Sequence, residues 1–102
     1  MIHVIATIEV APGRRGDFLE AFHRLVPLVL NEEGCIQYGP AIDTVTDISA
    51  QGPVRENVVV VVEQWKSLTA LKAHLAAPHM AAYRDQVAEI VKSMTLQVLE
   101  PA

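Results

Sequence analysis

Five consecutive valines, Val58 to Val62 in "ENVVVVVEQW", constrain this chain more than any other feature. Valine is β-branched, stiff at χ1 and poorly suited to a helix, so the run reads as a strand. Alternation sets Val58, Val60 and Val62 on one face and Val59 and Val61 on the other. A strand that is apolar on both faces needs cover on both. One layer of helices covers one face only, and the second cover has to come from elsewhere.

The flanking segments supply the helices and further strands. "MIHVIATIEV" alternates, with Ile2, Val4, Ala6, Ile8 and Val10 on one face and His3, Ile5, Thr7 and Glu9 on the other, which is the pattern of a half-buried strand. "APGRRG" breaks it, and Phe18, Phe22, Leu25 and Val29 then recur at helical spacing. Pro27 lies inside that helix, removes the bond to the His23 carbonyl and predicts a kink. Gly34 suits the left-handed position after the helix, and "CIQYGPAID" reads as a second strand carrying Tyr38. Residues 45–55, with the turn signal Gly52-Pro53, read as a loop.

Beyond the valine strand, "SLTALKAHLAA" predicts a helix with Ser67 or Thr69 as N-cap and Leu68, Leu71 and Leu75 as its buried stripe. Pro78 interrupts it. Met80, Tyr83, Val87, Ile90, Val91 and Met94 continue at helical spacing until "TLQVLE" returns to strand character. The order strand, helix, strand, strand, broken helix, strand is the split β-α-β unit of an α+β ferredoxin-like domain, β-α-β-β-α-β, here a single domain over residues 1–102. Helices on one face of its antiparallel sheet leave the other face open. A second copy packed sheet against sheet closes it, so the expected state is a homodimer.

Composition agrees and narrows the function. A chain of 102 residues that is 51% hydrophobic carries more apolar surface than a small monomer readily hides. Its 12 acidic and 8 basic residues, with no basic cluster beyond Arg14-Arg15, argue against nucleic acid as a partner. No apolar run is long enough to span a membrane, and the N-terminal stretch lacks a signal-peptide pattern, which predicts a cytoplasmic protein. The single Cys35 has no close Cys or His neighbours and reads as a small buried hydrophobe beside a turn.

The polar candidates cluster in "EQWKSLTALKAHLAAPHMAAY", residues 63–83. Glu63 and Trp65 share one strand face near its end. Glu63 reads as a solvated strand end or as a pocket group, and Trp65 as a core aromatic or a pocket wall. His74 falls at the edge of the leucine stripe, where a histidine is either a satisfied core residue or a group facing a cavity. His79 follows the Pro78 break. The five-residue interval from His74 to His79 is unlike the four-residue spacing of a helical metal pair, so no metal site is expected. Tyr38, Tyr83 and Phe22 either line a pocket between helices and sheet or fill a core, with Phe22 assigned to the core. Phosphate-loop, nucleophile-elbow, HExxH and dinucleotide motifs are absent.

At these residues the chain resembles the antibiotic biosynthesis monooxygenase family, which includes quinol monooxygenases. The resemblance rests on the opening strand, "PGRRGDFLEAF", "NEEGCIQY" and above all "VEQWKSLTALKAHLAAPH". It implies a dimeric α+β barrel, a pocket in each subunit between sheet and helices, and oxygenation by O₂ without metal, flavin or haem. A small quinol-like or polyketide-like aromatic is the implied substrate. On that resemblance His74 is expected to be the general base or the hydrogen-bond partner of the substrate oxygen, with Glu63 orienting it and Trp65, His79, Tyr83 and Tyr38 shaping the pocket. Haem-degrading members carry a pocket asparagine, a ligating histidine and a pocket tryptophan where this chain aligns Ala6, Arg84 and His74, so haem degradation is not expected.

Three functions remain open from the sequence. The first is the cofactor-independent monooxygenase. The second is isomerisation of a small hydroxyketone by the same base. The third is a dimeric ligand-binding domain without turnover, since a small fold hosts many functions.

Overall fold

The computed structural model describes residues 1–102. The elements are β1 (Ile2–Val10), α1 (Arg15–Leu30), β2 (Cys35–Ala41), β3 (Val58–Trp65), α2 (Leu68–Leu75), α3 (Pro78–Val87) and β4 (Val91–Leu99). They build one antiparallel four-stranded sheet in the order β2-β3-β1-β4. This is the ferredoxin-like arrangement the pattern predicts, with the second helix split in two.

The valine strand lies inside the sheet, between β2 and β1. Val59 and Val61 are buried beneath the helices, and on the same face follow Glu63 and Trp65. Opposite them Val4, Ala6 and Ile8 of β1 extend the buried surface, with Val4 paired to Glu63 and Ala6 to Val61. From α1, Phe18, Ala21, Phe22, Leu25 and Val29 close the core from above. The other sheet face carries Val58, Val60 and Val62 half-buried, with Ile5 paired to Val62 across the strands.

Two expectations are corrected. The helical spacing of Ile90, Val91 and Met94 does not extend the helix: α3 ends at Val87 and β4 begins at Val91. Both periods fit those three positions, and pairing with β1, from Val10 opposite Val91 to His3 opposite Leu99, decides for the strand. The stripe of α2 is also not Leu68, Leu71 and Leu75. Leu68 and Leu75 are 48% and 39% exposed, while Leu71 and His74 are buried, which moves His74 from the edge of the stripe to its centre. Ser67 is the cap, its hydroxyl accepting from the Ala70 N–H at 3.1 Å, and Thr69 lies within the helix. Helix α1 runs on through Pro27 to Leu30.

Gly34 closes the turn after α1 with φ +83°, and a Cβ there would lie 2.6 Å from the Ala70 Cβ. The Lys66 N–H donates to the Gly34 carbonyl at 2.8 Å, so this turn is clasped to the start of the β3–α2 connection. Gly13 also has positive φ, +78°, but nothing within 4 Å of its missing Cβ. Gly13→Ala is therefore expected to cost about 1 kcal/mol, from the left-handed backbone alone. Gly34→Ala is expected to cost about 3 kcal/mol, because the crowding of α2 adds to it. Urea denaturation of both variants checks this, and equal losses would show that the approach of α2 is unimportant.

Candidate functional site

Beneath the helices, the inner face of the sheet leaves a cavity of about 350 Å³. Thirteen of its 15 lining residues are hydrophobic, among them Ala6, Ile8, Phe22, Val61, Met80, Val87 and Leu96. Glu63 is its only carboxyl, Tyr38 and Tyr83 bring phenols, and Arg84 is its only cation. The site is thus an apolar chamber with few polar groups, which is the general character of a small-molecule pocket.

Strand alternation puts Glu63 there. Its residue is 4% exposed, and its Oε1 accepts a hydrogen bond from Trp65 Nε1–H at 2.9 Å, two residues along the same face. Burial drives the Glu63 carboxyl up to about 7, against the pull of the Trp65 hydrogen bond, with the charge of Glu32 adding to the rise. A carboxyl that changes protonation near neutral pH is suited to proton transfer. Tyr38 and Tyr83 are pushed well above the ordinary phenol value, first by burial, and remain protonated donors.

The two histidines lie elsewhere. His74 is 1% exposed and does not line the large cavity; its ring packs 4.6 Å from Trp65 and 5.3 Å from Tyr38, centroid to centroid. Its Nδ1 is 2.9 Å from Glu32 Oε2, and His79 Nε2 is 2.7 Å from the same oxygen. A carboxylate only accepts, so both nitrogens facing it carry protons. Burial pushes His74 below its usual value, with Glu32 acting in the other direction, so the ring is neutral at pH 7. His79 opens onto a smaller cavity of about 180 Å³ between α1 and α3.

The candidate residues therefore divide into two groups. Glu63, Tyr38 and Tyr83 meet in the large cavity, with Trp65 behind Glu63. His74 and His79 meet at Glu32, so Glu63 does not orient His74. The five-residue interval does not keep His74 and His79 apart. Ala77 is extended, φ −66° and ψ 142°, and this break turns His79 back to the carboxylate that His74 already holds. Glu32 has no local signal: "NEEG" reads as a helix end, and only the close approach of Gly34 to α2 brings Glu32 to His74. Cys35 is partly buried, and burial raises its thiol above the ordinary value.

The sequence matches the family described as antibiotic biosynthesis monooxygenase over residues 1–86. Along its whole length it is 41% identical to the "Probable quinol monooxygenase YgiN" of Escherichia coli K12, over 103 residues that cover 99% of this chain and 98% of the relative. The chain belongs to the antibiotic biosynthesis monooxygenase family. Solved structures agree on the fold. The protein Rv0793 of Mycobacterium tuberculosis superposes with a TM-score of 0.77 at 27% identity, covering 99% of this chain and 94% of that one. A conserved protein of Methanosarcina mazei Go1 superposes with a TM-score of 0.82 at 22% identity, covering 99% and 92%. Membership supports a monooxygenase-type function on a small molecule, and no helix is long and apolar enough to cross a membrane.

The raised Glu63 carboxyl has a consequence for stability in this family member. Its folded value of about 7 exceeds the ordinary 4.5, so the folded chain holds more protons than the unfolded chain between those limits. Stability should fall as pH rises through that window, by on the order of 3 kcal/mol when it is crossed. Glu63→Gln keeps an oxygen for the Trp65 N–H and removes the charge. It is expected to be more stable than the parent at pH 8 and equal to it near pH 4. Urea unfolding at both pH values measures the difference, and a difference independent of pH would contradict the buried carboxyl.

Proposed function

We propose that the chain is a cofactor-independent monooxygenase that oxidises a small quinol-like aromatic with O₂ in the apolar cavity, using Glu63 as the base. The observation that carries this reading is a lone carboxyl, raised to about 7, in a cavity whose other walls are almost entirely apolar. The family and its quinol-monooxygenase relative support the reaction class.

In the proposed reaction Glu63 takes a phenolic proton, and the electron-rich anion passes one electron to O₂. The semiquinone and superoxide then combine at a ring carbon, forming a C–O bond. Loss of water from the resulting hydroperoxide leaves a hydroxyquinone with one oxygen atom from O₂, the other leaving as water. In this reading the apolar walls limit water around the charged intermediates, and the protonated Tyr38 and Tyr83, which line the cavity, donate to developing negative charge. Trp65 acts through Glu63, by fixing its carboxylate. His74, expected from the sequence to be the base, serves in this reading as the support of the Trp65 ring, and His79 braces the same support through Glu32.

The base works only when deprotonated, so the rate with a small hydroquinone should rise through pH 7 and level off above it. Glu63→Gln should lower kcat by about 100-fold or more, as a lost acid–base group does. Labelled O₂ should place one atom in the product, followed by mass. Full turnover under anaerobic conditions would reject oxygenation in favour of proton transfer on a hydroxyketone, for which the same base suffices.

The working form in this proposal is a homodimer through the open sheet face, where the half-buried rows of Val58, Val60 and Val62 and of Ile5 want apolar cover. Light scattering at micromolar concentration should give twice the mass of 11.2 kDa. A monomer would contradict it.

A further inference from the structure

The Glu32, His74 and His79 cluster is left unused by the oxygenation chemistry, except as a brace. Its composition is more specific than a brace requires. The three side chains come from separate parts of the fold: Glu32 from the turn after α1, His74 from α2, and His79 from the first turn of α3. One ligand-type atom from each lies within 4.8 Å of the other two. We propose that Glu32, His74 and His79 form a binding site for one divalent transition-metal cation of the zinc type.

Two imidazoles and one carboxylate are the donor set of zinc and its neighbours in the first transition row, whereas calcium and magnesium take oxygen ligands. The spacing is that of a site closed on protons. His74 Nδ1 and His79 Nε2 lie 2.9 and 2.7 Å from one carboxylate oxygen. Around a tetrahedral ion with bonds of about 2.0 Å, ligand atoms sit about 3.3 Å apart. Binding thus opens the two N–O distances by about half an ångström. Each ring proton moves to the ring's other nitrogen, which leaves two neutral imidazoles presenting lone pairs and one carboxylate, so the cation takes the place of two bridging protons.

The fold allows that adjustment and gives access. The His74 ring is held between Trp65 and Tyr38 and forms the fixed side of the site. His79 and Glu32 are the accessible side, with side chains 27% and 14% exposed, so solvent can deliver the ion and fill a fourth position. The nearby Arg84 guanidinium is engaged with the Leu75 carbonyl at 3.2 Å. None of the three ligands lines the large cavity, so the cation would tie together the α1 turn, α2 and α3 outside the chamber that holds Glu63.

The experiment uses the full chain stripped of metal by chelation and needs no turnover, so it stands or falls separately from the oxygenase reading. Zn²⁺ is titrated calorimetrically, and Co²⁺ is added to a second sample for its visible spectrum. One equivalent of Zn²⁺ should bind with a Kd on the order of 1 μM or tighter, with a rise in thermal midpoint and a Co²⁺ spectrum of a four- or five-coordinate nitrogen–oxygen site. His79→Asn, at the partly exposed ligand, and Glu32→Gln should each weaken binding at least tenfold while remaining folded by circular dichroism. His23→Asn, at an exposed histidine of α1, should leave it unchanged. Absence of saturable one-equivalent binding to the parent overturns the proposal. So does binding that survives both ligand substitutions, or that is lost with His23. If the two ligand variants do not fold, an octahedral aquo-type Co²⁺ spectrum in the parent overturns it instead.

Discussion

The period-two alternation of β3 is the constraint on which the site depends. The same strand that buries Val59 and Val61 carries Glu63 and Trp65 onward along the same face. A carboxylate entering the core in this way is expensive to charge, and the structure answers it with one hydrogen bond from its strand neighbour and apolar walls elsewhere. The raised carboxyl follows first from that burial, and the charge of Glu32, from the turn after α1, adds to it. A one-residue slip of β3 would send Glu63 and Trp65 to the open face and bring Val62 and Gln64 beneath the helices.

Around that strand the polar interior is organised in two layers. Glu63 and the two phenols face the chamber, while Glu32 and the two histidines form a separate cluster behind the Trp65 ring. The layers touch through packing and through the charge of Glu32, which contributes to the rise at Glu63. The second layer exists because the turn after α1 comes within a Cβ's width of α2 at Gly34 and Ala70. Backbone freedom at one glycine therefore decides whether His74, deep in the core, meets a carboxylate or is left without a partner.

Much of this was legible in the sequence, and the reasons for the remainder are physical. The valine run and the alternation of β1 are strong period-two signals, and they led directly to a ferredoxin-like sheet and to Glu63 and Trp65 on a shared face. Residues 90–94 fit two periods at once, so only their pairing with β1 resolves them as strand. His74 reads as peripheral because a stripe drawn through Leu68, Leu71 and Leu75 puts it at the edge. The aromatic rings of Trp65 and Tyr38 and the carboxylate of Glu32 hold it at the centre instead. Glu32 itself was invisible, since two adjacent acids before a glycine carry no sign of a partner 42 residues away.

The central claim is that the carboxyl of Glu63, and not the imidazole of His74, meets the substrate. A crystal structure with a small hydroquinone bound under anaerobic conditions tests it most directly. The account predicts the ring in the chamber between the sheet and α3, with one hydroxyl oxygen within about 2.6–3.2 Å of a Glu63 carboxylate oxygen. A ligand whose hydroxyl instead meets His74 or His79, with Glu63 untouched, would contradict it.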